Sequence, residues 1–135
     1  MKKTVIILVF GALFHSKSHG QAPLSIPETT KGMLKVTILY PNDEGKTFDM
    51  EYYSKTHMPM LKALFGESLK KLEIDKGISG RTLKDPIPFL AIGYLYFNNL
   101  SDYRNSFGPH SAQIRGDIQN YTNIRPIIQI SEVLE

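Results

Sequence analysis

The sequence predicts an α+β domain in which four strands and two helices follow one another in the order β-α-β-β-α-β. Two segments carry apolar residues at the three- and four-residue steps of a helix. Four other segments either alternate between apolar and polar residues or are apolar throughout, as strands are. With 135 residues, 41% of them hydrophobic, the chain is long enough for one domain with a core.

The first predicted strand covers residues 33–40, with the sequence MLKVTILY. Apolar side chains occupy every second position, which is typical of a strand with one buried face. The turn-forming sequence PNDEGK follows and is expected to end the strand. The residues on the predicted buried face are Leu34, Val36, Ile38 and Tyr40.

The first predicted helix covers residues 48–65 and carries one apolar stripe along its length. Pro59 lies inside this pattern and cannot donate a hydrogen bond to the carbonyl of Lys55. We therefore expect a kink or a break in the helix just after His57. The stripe consists of Met50, Tyr53, His57, Leu61 and Leu64.

Two further strands are predicted in the middle of the chain. Apolar and polar residues alternate again over residues 71–80, which predicts a half-exposed strand. A loop over residues 80–88 follows this strand. Residues 89–97, FLAIGYLYF, are almost wholly apolar and predict a central strand covered on both faces. Tyr94 and Tyr96 share one face of this strand.

The second predicted helix begins near Ser101, which can cap it. The Gly108-Pro109 pair interrupts its apolar stripe, so we expect the helix to restart there with Pro109 in the first turn. The last predicted strand covers residues 127–134. The stripe of the second helix consists of Leu100, Tyr103, Phe107, His110, Ile114, Ile118 and Tyr121.

This order of elements is the split βαβ, or ferredoxin-like, arrangement, a four-stranded antiparallel sheet with both helices on one face. The other face would carry Leu39, Tyr94 and Tyr96, or their neighbours of opposite orientation. Either set is too apolar to be left in water. We therefore expect a second copy of the chain to cover this face in a symmetric homodimer.

Residues 1–20 predict a secretory signal peptide, because two lysines precede an apolar run of eleven residues and the sequence SHG offers a cleavage site. The run is shorter than the 20 or so residues that span a bilayer, although an uncleaved anchor is the alternative. Cleavage after residue 20 leaves a flexible leader, 21–32, and a domain, 33–135, without a stable membrane span. We expect an exported protein, in a bacterial periplasm.

The charge and the cysteine count exclude several classes of function. The formal net charge is +3, but three of the 16 basic residues lie in residues 1–20, which leaves 13 basic against 13 acidic residues. A neutral domain gives no electrostatic support for a nucleic-acid partner. The absence of cysteine excludes disulfides, thiolate metal sites and cysteine nucleophiles.

No sequence fingerprint points to a cofactor or a metal. The glycines stand in no phosphate-loop or dinucleotide-binding spacing, so we expect no cofactor. The domain has two histidines, His57 and His110, and they lie on separate elements. Such a pair is poor evidence for zinc, so we expect no metal.

His57 and His110 lie on the apolar stripes of the two helices, which face the same sheet. We therefore expect an apolar pocket with few polar groups, the usual form of a small-molecule site. The predicted catalytic residues are His57, as acid or base, and Tyr53, which would stabilise developing negative charge. The alternative for both histidines is a structural role in the core. The other predicted ligand contacts are Tyr52, His110, Tyr94, Tyr96 and Phe107.

Three motifs carry a resemblance to a known family. Residues 53–59 read Y-x-x-x-H-x-P in the first helix. Residues 117–122, DIQNYT, follow the second helix, and Pro126 precedes the last strand with its Glu132 and Val133. With these motifs in a β-α-β-β-α-β frame, the chain resembles the EthD family of the dimeric α/β-barrel superfamily.

The resemblance covers residues 33–135 and implies that two protomers pair their sheets into a barrel. It also implies that the histidine of the first helix, here His57, is functional, with Tyr53 as its neighbour. The family takes its name from a gene cluster for degrading ethyl tert-butyl ether. Relatives in the superfamily include cofactor-free monooxygenases, muconolactone isomerase, and dehydratases or cyclases. The signal peptide departs from this pattern, because many relatives are cytosolic.

The sequence therefore predicts an exported homodimer that binds a small apolar or aromatic molecule. If it is an enzyme, it is a cofactor-independent oxidoreductase of the monooxygenase type, or an isomerase or lyase, with His57 as acid/base. The alternative is a binding or accessory protein that holds the same ligand without turnover. A third reading treats both histidines as packing and the protein as an interaction module.

Overall fold

A computed structural model describes residues 31–135 of the chain. The four strands are β1 (Leu34–Pro41), β2 (Lys71–Lys76), β3 (Phe89–Phe97) and β4 (Ile127–Glu132). All neighbours pair antiparallel, in the order β2-β3-β1-β4. The predicted ferredoxin-like fold is confirmed. The predicted signal peptide and most of the predicted leader lie outside the described residues.

The first helical segment changes its geometry along its length. It consists of α1 (Met50–Tyr52), a π-helical turn (Tyr53–His57), α2 (Met58–Phe65) and a 3₁₀ turn (Gly66–Ser68). Pro59 follows the π-helical turn and cannot donate to the carbonyl of Lys55, so the regular bonding of the helix is interrupted at this point. The break expected after His57 is thus a change of helix type. Such π turns occur frequently at functional sites.

The second helix, α3 (Leu100–Asp117), continues through Pro109 and ends in a 3₁₀ turn (Ile118–Asn120). The predicted restart of the helix at Gly108-Pro109 is therefore wrong. Pro109 has no backbone N–H, so the carbonyl of Asn105 lacks its usual hydrogen bond within the helix. Asn105, Gly108 and Pro109 are all exposed, so water can reach that carbonyl and the helix tolerates the loss.

Several element ends also differ from the prediction, among them the start of α3 and the end of β2. Asn99 caps α3 in place of Ser101, because its side chain accepts a hydrogen bond from the backbone N–H of Asp102 at 2.9 Å. The second strand ends at Lys76, four residues early. Ile78, which continued the alternating pattern, is 85% exposed in the loop that follows.

The core lies between the helices and one face of the sheet. β3 carries Gly93 on this face, opposite Ile38 of β1. A Cβ atom at Gly93 would collide with the hydroxyl of Tyr53, so the glycine lets the tyrosine lie against the strand. The buried cluster consists of Val36, Ile38, Tyr40, Tyr53, Met58, Leu61, Phe65, Ala91, Leu95, Phe97, Ile114, Tyr121 and Ile124.

The face of the sheet that points away from the helices is also apolar in part. Leu39, Ile92 and Tyr94 lie on it and are half-buried, while Ile127 of the edge strand is 53% exposed. The homodimer predicted to cover this face stays a prediction. Within residues 31–135, no helix has the length and apolar composition needed to cross a membrane.

Candidate active site

His57 and Asp117 form a hydrogen-bonded pair between the two helical segments. Nδ1 of His57 lies 2.7 Å from Oδ2 of Asp117, and the two side chains are only 3% and 15% exposed. His57 ends the π-helical turn, and Asp117 is the last residue of α3. An ionised carboxylate can only accept, so His57 donates from Nδ1 and its Nε2 atom keeps a lone pair.

Two other side chains hold the Asp117 carboxylate in place. Its Oδ1 atom accepts from the hydroxyl of Tyr52 at 2.8 Å and from Nδ2 of Asn120 at 2.9 Å. Burial acts to raise the pKa of Asp117, but the hydrogen bonds from His57, Asn120 and Tyr52 together hold it below its usual value. The carboxylate is therefore ionised at neutral pH.

The imidazole of His57 is neutral at pH 7. Burial lowers its pKa and outweighs the opposing effect of the Asp117 hydrogen bond and charge. The ring of Tyr53 stacks on it at a centroid distance of 5.8 Å, and the ring of Tyr121 lies tilted at 4.6 Å. These contacts exclude water from one side of the imidazole and restrict its rotation. The arrangement is that of an oriented general base.

His57 also lines a cavity of about 330 Å³ between the helices and the sheet. Within residues 31–135, the side chain of His57 hydrogen-bonds through Nδ1 and its Nε2 atom has no hydrogen-bond partner. Apart from His57 and Arg115, the lining side chains are aliphatic or aromatic. They are Val36, Ile38, Tyr40, Leu61, Phe65, Leu95, Tyr103, Phe107, Ile114, Ile118, Pro126 and Ile128. Cavities of this size and character bind small molecules.

The predicted site residues fall into separate groups. His57 and Phe107 line the cavity. Tyr52 donates a hydrogen bond to Asp117 and does not line the cavity. Tyr53 stacks on His57, but its hydroxyl is buried against Gly93 and away from the cavity. Its predicted role in stabilising charge on a ligand therefore lacks a geometric basis here.

Tyr94 and Tyr96 lie on the opposite side of the sheet from the cavity. They stand opposite Thr37 and Lys35 of β1, whose side chains point away from the helices. The hydroxyl of Tyr96 donates to Glu73 at 2.8 Å. The sequence of an all-apolar strand does not reveal which of its faces meets the helices. The register between β1 and β3 therefore corrects the predicted ligand contact of Tyr94 and Tyr96.

His110 is half-buried on α3 and does not line the cavity. The expectation that both histidines enter one space is therefore corrected: α3 presents Phe107 and Ile114 there, and His110 lies at the margin of that face. Among the described residues, no group of three or more histidine or acidic side chains is placed to hold a metal ion.

Sequence reasoning gave no role to Asp117 and none to Arg115. A signal for Asp117 was present, because a carboxylate in the last turn of a helix is disfavoured by the helix dipole and needs donors near it. For Arg115 there was no such signal, since its position beside Ile114 also fits an ordinary solvated side chain. Both residues become part of the site through the way α3 crosses the sheet.

No protein-family model matches the chain, and no curated protein matches it. Among solved structures, it is similar to an EthD-like protein of Ralstonia eutropha JMP134, with 39% identity and a TM-score of 0.74 over 78% of this chain and 96% of that one. An ethyl tert-butyl ether D (EthD) family protein of Bacillus halodurans C-125 shares the fold, with 15% identity and a TM-score of 0.56 over 76% and 99% of the two chains. A dimeric protein of unknown function with a ferredoxin-like fold, from Bacteroides fragilis NCTC 9343, is 14% identical, with a TM-score of 0.44 over 76% and 97%.

Proposed function

The chain belongs to the EthD family, and on that premise we propose that it binds a small apolar or aromatic molecule and exchanges a proton with it through His57. One observation carries the proposal. A neutral histidine, oriented by Asp117 at 2.7 Å, lines an otherwise apolar cavity. A base in such a position is far more effective than one in water, because it needs no reorganisation before it takes the proton.

The proposed step balances without a cofactor. Nε2 of His57 forms an N–H bond as an acidic C–H or O–H bond of the bound molecule breaks, and the electron pair stays on that molecule. The resulting imidazolium is stabilised by the charge of Asp117. Return of the proton to a different atom completes an isomerisation. The same first step would begin a cofactor-free oxygenation if a carbon atom of the resulting anion then formed a C–O bond with molecular oxygen, giving a hydroperoxide whose O–O bond breaks with loss of water.

The test is hydrogen–deuterium exchange in D₂O, followed by NMR, with enolisable and phenolic small molecules that the protein binds. We expect His57→Gln to remove the protein-dependent exchange. His110→Gln is the matched control, since it changes the other histidine of the domain without touching the cavity. Exchange that persists in a folded His57→Gln protein would show that the proposed base is wrong. Binding without exchange in the wild type would instead support a binding or accessory protein.

We also propose that the protein acts as an exported homodimer. The partly apolar sheet face around Leu39 and Ile92 supports pairing with a second copy. The lysines, apolar run and cleavage site of residues 1–20 support export. Expression of the full chain in a bacterium, followed by mass measurement of the periplasmic fraction, tests export. Loss of residues 1–20 is the expected result, and an intact cytoplasmic chain would contradict it.

A further inference from the structure

We propose that Arg115 makes the cavity selective for organic anions, so that its ligand is a ring-containing molecule with one carboxylate-like group. In this arrangement the anionic group meets the guanidinium, the rings occupy the apolar space, and the reactive hydrogen faces His57. The inference rests on the ligand-binding role proposed above and deepens it, because it names the chemical class of the ligand.

The first support is the position of Arg115. It lines the same cavity as His57, on α3 between the lining residues Ile114 and Ile118. Helical side chains lean towards the N-terminus of their helix. The guanidinium of Arg115 accordingly reaches back over the ring of Phe107, with Cζ 5.6 Å from the ring centroid. This cation–π contact holds the charge against the cavity wall.

The second support is the absence of an internal counter-ion for this arginine. Among the described residues, carboxylates pair with Lys55, His57 and Lys71, and none pairs with Arg115. Asp117 is close in sequence, but its oxygens are taken by His57, Tyr52 and Asn120. A guanidinium presents a planar set of donors that fits a carboxylate in a bidentate manner.

The third support is the charge and size of the cavity. No acidic side chain belongs to its lining, and Asp117 lies behind His57, so Arg115 carries the charge on the cavity wall at neutral pH. A cavity of about 150 Å³ can hold a benzene molecule. The volume here, about 330 Å³, therefore suits one or two rings. Together these features favour an aromatic or alicyclic monocarboxylate over a neutral molecule of the same shape.

The experiment compares 2-naphthoate with the neutral 2-naphthamide by isothermal titration calorimetry. We expect the wild type to bind the carboxylate at least about 10-fold more tightly, the usual scale for a charge-assisted contact. Arg115→Gln should remove this preference and leave the affinity for the amide within about twofold. Arg104→Gln is the control, because Arg104 is also an exposed arginine of α3 but does not line the cavity.

The possible outcomes bear differently on the anion selectivity and on the proposed function. Equal affinity of the wild type for both probes, or equal weakening of both by Arg115→Gln, would overturn the anion selectivity while leaving the cavity a ligand site. Anion selectivity together with exchange that survives in His57→Gln would overturn the proton-transfer function alone. Failure of both probes to bind the wild type would overturn this inference and the ligand-binding role together.

Discussion

Between His57 and Asp117, geometry and protonation state depend on each other. The carboxylate can only accept, so it selects the tautomer of His57 that carries its proton on Nδ1. Burial favours the neutral imidazole, while Asp117 opposes it in part and stabilises the imidazolium once a proton arrives. The Asp117 carboxylate therefore orients the neutral imidazole and stabilises the protonated one. Hydrogen bonds from His57, Tyr52 and Asn120 hold the carboxylate in position.

We predict that Asp117→Asn lowers the rate of protein-dependent proton exchange by about 10²–10⁴-fold. The new amide would present an N–H to Nδ1 and so favour the tautomer with its proton on Nε2, which removes the lone pair from the cavity. The pKa of His57 should also fall further, because the effect of Asp117 that raises it is lost. The ¹⁵N chemical shifts of the imidazole report both changes.

Asp102→Asn is the matched control for this substitution, because Asp102 lies in the first turn of the same helix and contacts Asn99, far from His57. It should leave the ¹⁵N shifts of His57 unchanged. If Asp117→Asn kept both the tautomer and the exchange rate of the wild type, the orienting role of the carboxylate would be refuted.

The lowered pKa of His57 also predicts how stability depends on pH. In the folded protein the pKa of His57 lies below the ordinary value of 6.5. At a pH between the folded and the unfolded pKa, the folded protein therefore binds fewer protons than the unfolded chain. The stability that neutral His57 contributes is therefore fully present above about pH 6.5 and is lost as the pH falls through its folded pKa. Asp117, whose pKa is also lowered, adds a similar loss at more acidic pH, below about 3.9.

Urea unfolding between pH 7.5 and pH 4.5 measures this dependence. We expect the wild type to lose more free energy of unfolding over this range than His57→Gln, which has no titrating group at that position. The proton-exchange rate should show an acid limb in the same region, because only the neutral imidazole accepts a proton. Parallel stability curves for the two proteins would contradict the lowered pKa.

At the scale of elements, the π-helical turn and β3 must fit each other at one point. The turn directs Tyr53 and His57 inwards, and the hydroxyl of Tyr53 lies directly against Gly93. A larger residue in the strand would push the turn away and move His57 with it. The glycine thus supports the site although it does not contact the cavity.

We predict that Gly93→Ala lowers the free energy of unfolding by about 1–3 kcal/mol, as overpacking in a core does. The added Cβ would meet the hydroxyl of Tyr53 and Cε of Met58, the latter at 2.9 Å. The Tyr53→Phe change should recover part of this loss in the double variant, because it removes the nearest atom. Thermal and urea unfolding of the single and double variants measure the coupling.

The control is Gly116→Ala in α3, where a Cβ would meet no atom within 4 Å. Alanine in an exposed helix position is expected to stabilise by about 0.5–1 kcal/mol. A Gly93→Ala protein as stable as the wild type would show that the strand and the turn can separate without cost. In that case the glycine would not position His57.

At the scale of the whole molecule, the proposed dimer depends on the sheet face that points away from the helices. We predict that Ile92→Glu converts the dimer to a monomer, because a carboxylate buried between two sheets costs several kcal/mol when unpaired. Leu83→Glu is the control, since Leu83 is 89% exposed in the loop between β2 and β3. Sedimentation velocity and native mass spectrometry of the purified protein measure the mass.

A folded wild type that sediments as a monomer at micromolar concentration would refute the sheet pairing. A dimer that persists in Ile92→Glu would show that another surface forms the interface. Edge strand β4 is then the next region to test, because Ile127, Ile128 and Ile130 are all about half exposed there.

We could predict the order of the elements, the ferredoxin-like fold and the inward position of His57 from the residues alone. Each of these follows from the spacing of neighbouring residues, since helix and strand periods are local properties. The change of backbone geometry near Pro59 was predictable for the same reason. The continuity of α3 through Pro109 was not, because it depends on solvent reaching one free carbonyl.

Which residues form the site depends on the packing of segments that are distant in the chain. His57 and Asp117 are 60 positions apart, and Arg115 enters the cavity through the same packing of α3 on the sheet. The register between β1 and β3 placed Tyr94 and Tyr96 on the far side. These outcomes depend on how distant segments cross and pair, and the spacing of residues within one segment carries no information about that geometry.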